Sequence, residues 1–431
     1  MPKKFLKLFF LLSAITSLLF VSARAFAGHA GPGIPGRFIV VLKDSVASPH
    51  DAALSMEARY ALTPGHIYTS AVRGFSASIS EKSLTALRKD ARVMFVEPDL
   101  YVHAIAQTLP TGVNRMDADL SPTAGIDGEA SRVNVDIAVI DTGVSRTHPD
   151  LYFYKGYTVP GAGKSDGVDD NGHGSHVAGI AAARDNGYGV VGVAPGARIW
   201  SVKVLNRYGS GMISGVIAGI DWVTQHAHEI EVANMSLGAT GRSDALRLAI
   251  KKSVARGIVY VVAAGNSGKN VYGGDGIFNT GDDSIPAAYP EVAAVSALAD
   301  SDGLPGGLGP ATPWGADDTL AAVSNFSLSA VAGNPVTSSG AAIDLAAPGV
   351  NILSTWLDTG YRTLSGTSMA SPHVAGAAAL YIAAHGKPTD AAGVYSVRQA
   401  LIDLGAPQAG PKGFSNDPDA NPENLVDAEL L

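Results

Sequence analysis

Apolar positions along the chain fall into two textures. From residue 133 onward, the runs 133–140, 198–204, 232–237, 258–264 and 292–297 are continuous apolar or β-branched stretches rather than alternating ones. Such runs mark strands covered on both faces. Between them, 175–183, 213–224 and 244–256 carry apolar residues at helical spacing. The alternation predicts an α/β fold, a parallel sheet sandwiched by helices, whose ligands belong at the carboxyl ends of the strands. Before it, residues 37–103 read as a small separate domain. Strands are expected at 38–42, 74–79 and 93–96. One helix is expected through Ala53, Leu54, Ala58 and Ala61, and another over 81–90 with Leu84 and Leu87 on one face. The order strand–helix–strand–helix–strand predicts a ferredoxin-like α+β layer, marginally stable alone at this size.

The first residues have a different pattern again. Lys3, Lys4 and Lys7 precede an apolar run over 8–21, and Ala25-Phe26-Ala27 offers small residues where a signal peptidase reads. The run is shorter than the roughly 20 residues a membrane-spanning helix needs. It predicts a cleaved export signal over 1–27 and a secreted protein, with 28–36 as a flexible leader. The expected organisation is 1–27 signal, 28–105 propeptide and 106–431 main domain.

Composition sharpens this picture. Only 16% of the 431 residues are charged, against about 25% in ordinary soluble domains, and 50 are glycine, well above the usual share of about 7%. Many tight turns and close backbone approaches follow, and disorder is excluded. A net charge of −8 argues against a nucleic-acid partner. With no cysteine there is no disulfide, thiol nucleophile or thiolate metal site.

Three segments carry candidate chemistry. Asp141-Thr142-Gly143 follows the 133–140 run, although Asp before Gly also makes an ordinary turn. In NGHGSHVAG, 171–179, His173 precedes a small-residue helix, where a lone His also serves as a helix start or core residue. In SGTSMASPHVAG, 365–376, Ser368 stands at a helix start, where Ser is otherwise a cap. Pro372 is expected in the first turns, where a missing N–H costs little. Together the three specify a reaction. Serine needs a base to take its proton, and the base needs a carboxylate to orient it and stabilise its cation. Asn266, after the 258–264 run, offers an amide to a developing oxyanion, with the Ser368 N–H and the Thr367 hydroxyl as further donors. Alone it reads as a turn residue.

The motifs DTG, HGSHVAG, NMSLG, AAGN and GTSMASPHVAG, in this order, resemble the subtilisin-type serine proteases, and 37–103 resembles their inhibitory propeptide. The order Asp, His, Ser is that of subtilisin. The resemblance implies a secreted endopeptidase made as an inactive, self-processing precursor, with Asp141, His173 and Ser368 catalytic. It implies polypeptide substrates lying as an added strand between Gly209-Ser210-Gly211 and Ser236-Leu237-Gly238. Ala263 to Gly265 would wall a main specificity pocket without fixed charge, favouring apolar or aromatic side chains. The propeptide would serve as folding template and intramolecular inhibitor, placing its end in the cleft before a cut after Ile105. A monomer without nucleic-acid or membrane partners is expected. Two other readings stay open: a peptide ligase or macrocyclase using the same acyl-enzyme, and a non-catalytic, calcium-stiffened binding module.

The resemblance also implies a structural calcium ion. Residues 183–195 resemble the family's first calcium loop, with the Asn186 side chain, the Arg184, Tyr188 and Val190 carbonyls, the Asp150 carboxylate and a Gln107 oxygen as ligands. An all-oxygen set suits Ca²⁺ and not Zn²⁺. Asp166, Asp169 and Asp170 read as a solvated acidic loop, with a second ion as the alternative. Asp275, Asn279, Asp282 and Asp283 resemble a hard-cation loop without EF-hand spacing. The 300–319 stretch fits no motif.

Overall fold

In the computed structural model, which describes residues 36–99 and 107–431, the continuous apolar runs form strands. The described residues fall in two compact units. The export signal expected over 1–27 and the cut expected after Ile105 lie outside the described residues.

The smaller unit runs β1 (Arg37–Leu42), α1 (Pro49–Tyr60), β2 (Thr63–Tyr68), β3 (Gly74–Ser78), α2 (Glu81–Leu87) and β4 (Val93–Pro98). Its antiparallel sheet has the order β2-β3-β1-β4, the split βαβ arrangement predicted. Ser48 caps α1 through the Asp51 N–H and Ser80 caps α2 through the Ser83 N–H. Val40, Leu42, Met56, Phe75 and Leu87 form a closed core. The sequence reading lacked β2. Its residues, TPGHIY, are mostly exposed, and the pairing with β3 shifts register between Pro64 and Ile67. Proline and glycine are tolerated at a sheet edge, where no apolar run announces the strand.

The larger unit begins with α3 (Thr111–Arg115) and β5 (Asp136–Asp141). It continues through β6 (Phe153–Thr158), α4 (His173–Ala182), β7 (Arg198–Lys203), α5 (Ile213–Gln225), β8 (Val232–Met235), β9 (Ala239–Thr240), α6 (Asp244–Val254) and β10 (Val259–Ala263). The second half contains β11 (Ser284–Ile285), β12 (Ala293–Ala299), β13 (Thr319–Leu320), β14 (Leu345–Pro348), β15 (Ile352–Thr355), β16 (Tyr361–Leu364), α7 (Thr367–His385), α8 (Ala391–Leu404) and β17 (Asn424–Leu425). The main sheet has the order β17-β14-β12-β10-β8-β5-β7-β6, every neighbouring pair parallel, with β13 antiparallel on β12. The chain fills one side of β5 with β7 and then crosses to the other side with β8. That reversal opens a crevice beyond the carboxyl ends of these strands.

Helices α4 and α7 pack together over one side of the sheet, while α5 and α6 pack against each other. Helix α7 is apolar all round and mostly buried, as a central helix should be. Small residues set how closely its neighbourhood packs. A Cβ on Gly376 would lie 2.5 Å from the Val193 Cβ, and one on Gly179 would lie 2.3 Å from the Ser354 and Thr355 hydroxyls.

The tightest approach bearing on the crevice is at Gly174 in the first turn of α4. A Cβ there would sit 2.1 Å from the Gly143 carbonyl oxygen and 3.1 Å from the Asp141 Cβ. Gly174→Ala is expected to destabilise by about 1–3 kcal/mol, because backbone and not a flexible side chain must give way. Gly281→Ala, with nothing within 4 Å, should stay within about 0.5 kcal/mol of the parent. Urea unfolding of the two variants beside the parent checks this.

Candidate active site

Strand β5 ends at Asp141, whose carboxylate is fully buried. Burial of a charge is costly unless partners are in place, and here they are. The Thr142 N–H donates to Asp141 Oδ1 at 2.6 Å, and the His173 Nδ1 lies 2.8 Å from Oδ1 and 3.0 Å from Oδ2. His173 is the first residue of α4. Burial, the largest influence on its ring, disfavours the cation. The Asp141 charge, the Asp141 hydrogen bond and the Asp169 charge outweigh it and hold the pKa above the ordinary histidine value. The histidines at matching places in the two HVAG motifs behave otherwise. Burial drives His176 and His373 down to about 4, and each packs its ring against backbone carbonyls.

The third residue, Ser368, is the second of α7. Its hydroxyl donates to the Ser236 carbonyl at 3.3 Å and not to His173. Pro372 is the sixth residue of the helix. The sequence placed it where a missing N–H costs little. An N–H at this position would bond the Ser368 carbonyl four residues back, and proline leaves that carbonyl free. The Ser236 hydroxyl takes it at 2.8 Å and also meets the Ser371 hydroxyl at 2.9 Å. Ser236, just past β8, thus ties that strand end to Ser368 and Ser371 of α7.

Asn266 follows β10. Its Oδ1 accepts the Thr367 N–H at 2.8 Å and the Thr367 hydroxyl at 3.0 Å, which leaves the amide Nδ2 as the outward donor. Thr367 is fully buried and also accepts the Gly265 N–H. Its hydroxyl, expected to face an oxyanion, instead holds Asn266. The Ser368 N–H belongs to the first turn of a helix, whose N–H groups lack helical acceptors.

Two cavities meet here. One, of about 350 Å³, is walled by Ala263, Ala264, Gly265 and Asn266, by 236–240 and by Thr367 and Ser368, with no charged residue in its lining. Buried Asn325 braces its floor, donating to the Ala264 carbonyl and accepting the Ser267 N–H. The other, of about 410 Å³, runs past His173 between Gly209-Ser210-Gly211 and Ser236-Leu237-Gly238, with Leu205, Met212, Val216 and Leu246 beside it. The structure therefore collects Asp141, His173, Ser368, Asn266, Thr367 and both predicted edge segments around one crevice.

Comparison with known proteins agrees. The Subtilase family profile matches residues 133–417 and the Peptidase inhibitor I9 profile residues 37–104. Subtilisin E of Bacillus subtilis (strain 168) is 37% identical over 320 residues, 74% of this chain and 73% of that protein. The alkaline protease of Alkalihalobacillus alcalophilus is 38% identical over 306 residues, 71% and 68% of the two chains. The crystal structure of a cold adapted subtilisin-like serine proteinase superposes with a TM-score of 0.51 at 32% identity, covering 74% of this chain and 97% of that one. The chain belongs to the subtilase family. It is a serine endopeptidase carrying an I9 inhibitor domain.

Around the crevice of this subtilase the acidic loop is not solvated as expected. Only Asp166 is exposed. Asp169 is buried and accepts five hydrogen bonds, from the Thr142 hydroxyl, the Asn171, Gly172 and Ser175 N–H groups and the Ser175 hydroxyl. It fastens the residue after Asp141 to the residues around His173, and its charge sits at the positive end of α4. Asp170 pairs with fully buried Lys203 at 2.6 Å, and Lys203 also donates to the Thr142 and Leu205 carbonyls. The ends of β5 and β7 and the start of α4 become one framework. In the 269–284 loop, Asp275, Asp282 and Asp283 accept from the Thr280 hydroxyl and from backbone N–H groups of their own loop.

The 183–195 loop brings Gln107, Asp150, Asn186 and the Arg184 and Val190 carbonyls together, with Tyr188 joined to them through its N–H. Asp150 is fully buried, and its carboxylate accepts from Asn186, from the Val190 N–H and from Tyr361 at 2.7 Å, with no Lys, Arg or His paired to it among the described residues. Gln107 reaches the Arg184 and Val190 carbonyls at 2.5 and 2.8 Å with its amide nitrogen, and Tyr188 turns on Asn186 through its own N–H. A buried carboxylate, two side-chain amides and converging carbonyls fit a hard cation, with the Gln107 amide turned to present its oxygen. Tyr361 was absent from the sequence reading.

The charge balance at His173 yields a titration. Its imidazole should titrate above the ordinary 6.5, and Asp141→Asn should lower that value, since it removes the opposing charge and hydrogen bond and leaves burial. An NMR titration of the Ser368→Ala protein with and without Asp141→Asn measures both.

Proposed function

We propose that this subtilase is made as an exported, self-processing precursor that hydrolyses peptide bonds through Asp141, His173 and Ser368. The observation that carries the reading is the buried Asp141 carboxylate in bonding contact with the His173 Nδ1, with Ser368 at a helix start lining the cavity that adjoins the one past His173. Ser368 Oγ attacks the peptide carbonyl while its proton passes to His173 Nε2. Asp141 holds the ring and stabilises the imidazolium. The negative oxygen that develops is met by Asn266 Nδ2 and the Ser368 N–H, with Thr367 fixing the amide. In subtilisin itself, the source of the figure, losing this amide costs about 10²–10³ in kcat. His173 returns the proton to the leaving amine, and water, deprotonated by the same ring, releases the acyl group. Because the base must be neutral, activity rises with pH through the raised His173 pKa.

The substrate lies as an added strand between Gly209-Ser210-Gly211 and Ser236-Leu237-Gly238. The uncharged 350 Å³ cavity beside Ala263 and Gly265 takes the side chain before the scissile bond, which favours apolar or aromatic residues. The I9 domain acts as intramolecular inhibitor and folding template, useful for a parallel sheet of non-local pairings that fold slowly. Calcium would be held by Gln107, Asp150 and Asn186 and the Arg184, Tyr188 and Val190 carbonyls. Bound there, it ties the loop to the start of the body and neutralises the Asp150 charge. Secretion is supported by the basic and apolar pattern of residues 1–27, and among the described residues no helix is long and apolar enough to cross a membrane.

Casein cleavage by the purified mature protein tests the reading. Ser368→Ala should reduce it by about 10⁶-fold, the loss in subtilisin itself from which that figure comes. Product masses should show one water added per cut; amide products without water would make the protein a ligase. Cleavage undiminished in Ser368→Ala would overturn the assignment.

A further inference from the structure

The 300–319 stretch, unused by the protease reading, joins β12 to β13 and gathers carboxylates. Oxygens of Asp300, Asp302 and Asp317 lie within 4.8 Å of one another. Three carboxylates meeting at one point suit Ca²⁺, which gathers about six to eight oxygens, rather than Mg²⁺, which keeps several of its waters and takes about one or two carboxylates. Asp300 is 0% exposed and Asp317 6%, while Asp302 is solvent-accessible.

The hydrogen bonds do not exhaust these charges. Asp317 Oδ1 accepts the Ser301 N–H and hydroxyl, and Oδ2 accepts the Gly309 N–H. Asp302 Oδ1 accepts the Leu304 N–H. Asp300 Oδ1 accepts the Gly303 N–H at 3.0 Å, but its Oδ2 is buried with no hydrogen-bond partner. A carboxylate oxygen shut away from water without a donor is among the costliest unmet groups a fold can carry. No Lys, Arg or His pairs with these three among the described residues. Arg115, the nearby cation, gives Nε and one terminal nitrogen to Asp318 and to the Lys412 and Gly413 carbonyls; its other terminal nitrogen is buried without a partner, and it forms no ion pair with any of the three. Burial accordingly pushes the Asp300 carboxyl up to about 7.

We propose that Asp300, Asp302 and Asp317 hold a hard divalent cation of calcium size, in a site separate from the 183–195 loop. The unpartnered Asp300 oxygen, buried among like charges, becomes a ligand. An ion there closes the insertion at its base, where the Asn114 amide already donates to the Gly303 carbonyl at 2.8 Å and fastens it to α3.

The test counts ions by native mass spectrometry on the full chain carrying Ser368→Ala, equilibrated with calcium or with magnesium. Asp302→Asn and Asp300→Asn should each bind one calcium fewer than the parent, and the rise in Tm that calcium produces should shrink in both. In chelator, Asp300→Asn should melt no lower than the parent, because it removes an unmet charge and keeps the acceptor for Gly303. The 183–195 loop is unchanged in every variant, so its ion cancels from the difference. Equal calcium counts in the parent and both variants would overturn the site. So would a lost ion that magnesium replaces equally well.

Discussion

A carboxylate sealed from water at the end of β5 is the constraint around which the crevice is organised. Asp141 cannot stay ionised at zero exposure unless donors meet it, and the Thr142 N–H and the His173 ring are those donors. Holding a histidine against it requires the start of α4 to approach the end of β5 closely, which Gly174 permits, while Gly143 lets the 167–169 backbone close in beside it. It also requires the loop before α4 to be fastened. Asp169 and the Asp170–Lys203 pair do that, each bonding the residue that follows Asp141. Buried charge thus supports buried charge, and the histidine is left with a pKa above its ordinary value rather than the depressed one of His176 or His373.

The serine side of the crevice is built on a different principle. There a missing donor does the organising. Pro372 frees the Ser368 carbonyl inside an otherwise regular helix, and the Ser236 hydroxyl fills the vacancy. The helix that carries Ser368 is thereby fixed to the end of β8 rather than only packed near it. Thr367 acts similarly for Asn266, using its hydroxyl and N–H to settle which end of the amide is held and which is left free. Rigid elements on three strand ends then present these groups, so that little beyond the turn of the Ser368 hydroxyl is left to arrange, which is the physical content of preorganisation.

Much of this was legible in the chain, for reasons that can be named. Doubly covered strands such as β5, β7, β8 and β10 announce themselves as unbroken apolar runs. The edge elements β2, β6 and β17 do not, because one side of each needs no apolar partner. Helix α8 carried a readable pattern, with Asp390 as cap and Val394, Val397, Leu401 and Ile402 on one face, yet the reading passed over it. The candidate nucleophile, base and carboxylate stood out because strand ends and helix starts flanked by glycine are local features. Asp169, Lys203, Asn325 and Tyr361 escaped because their roles depend on segments tens or hundreds of residues away. Spacing cannot distinguish a solvated aspartate from one that accepts five hydrogen bonds.

The central claim is that Ser368, activated by His173, is a working nucleophile in this chain. The intact mass of the full-length product, compared between the native sequence and Ser368→Ala, addresses it most directly, since the substrate is the chain itself. The account predicts that the native protein loses its residues up to about Ile105 while Ser368→Ala retains its 28–103 segment. Identical trimming of both, or of neither, would contradict it.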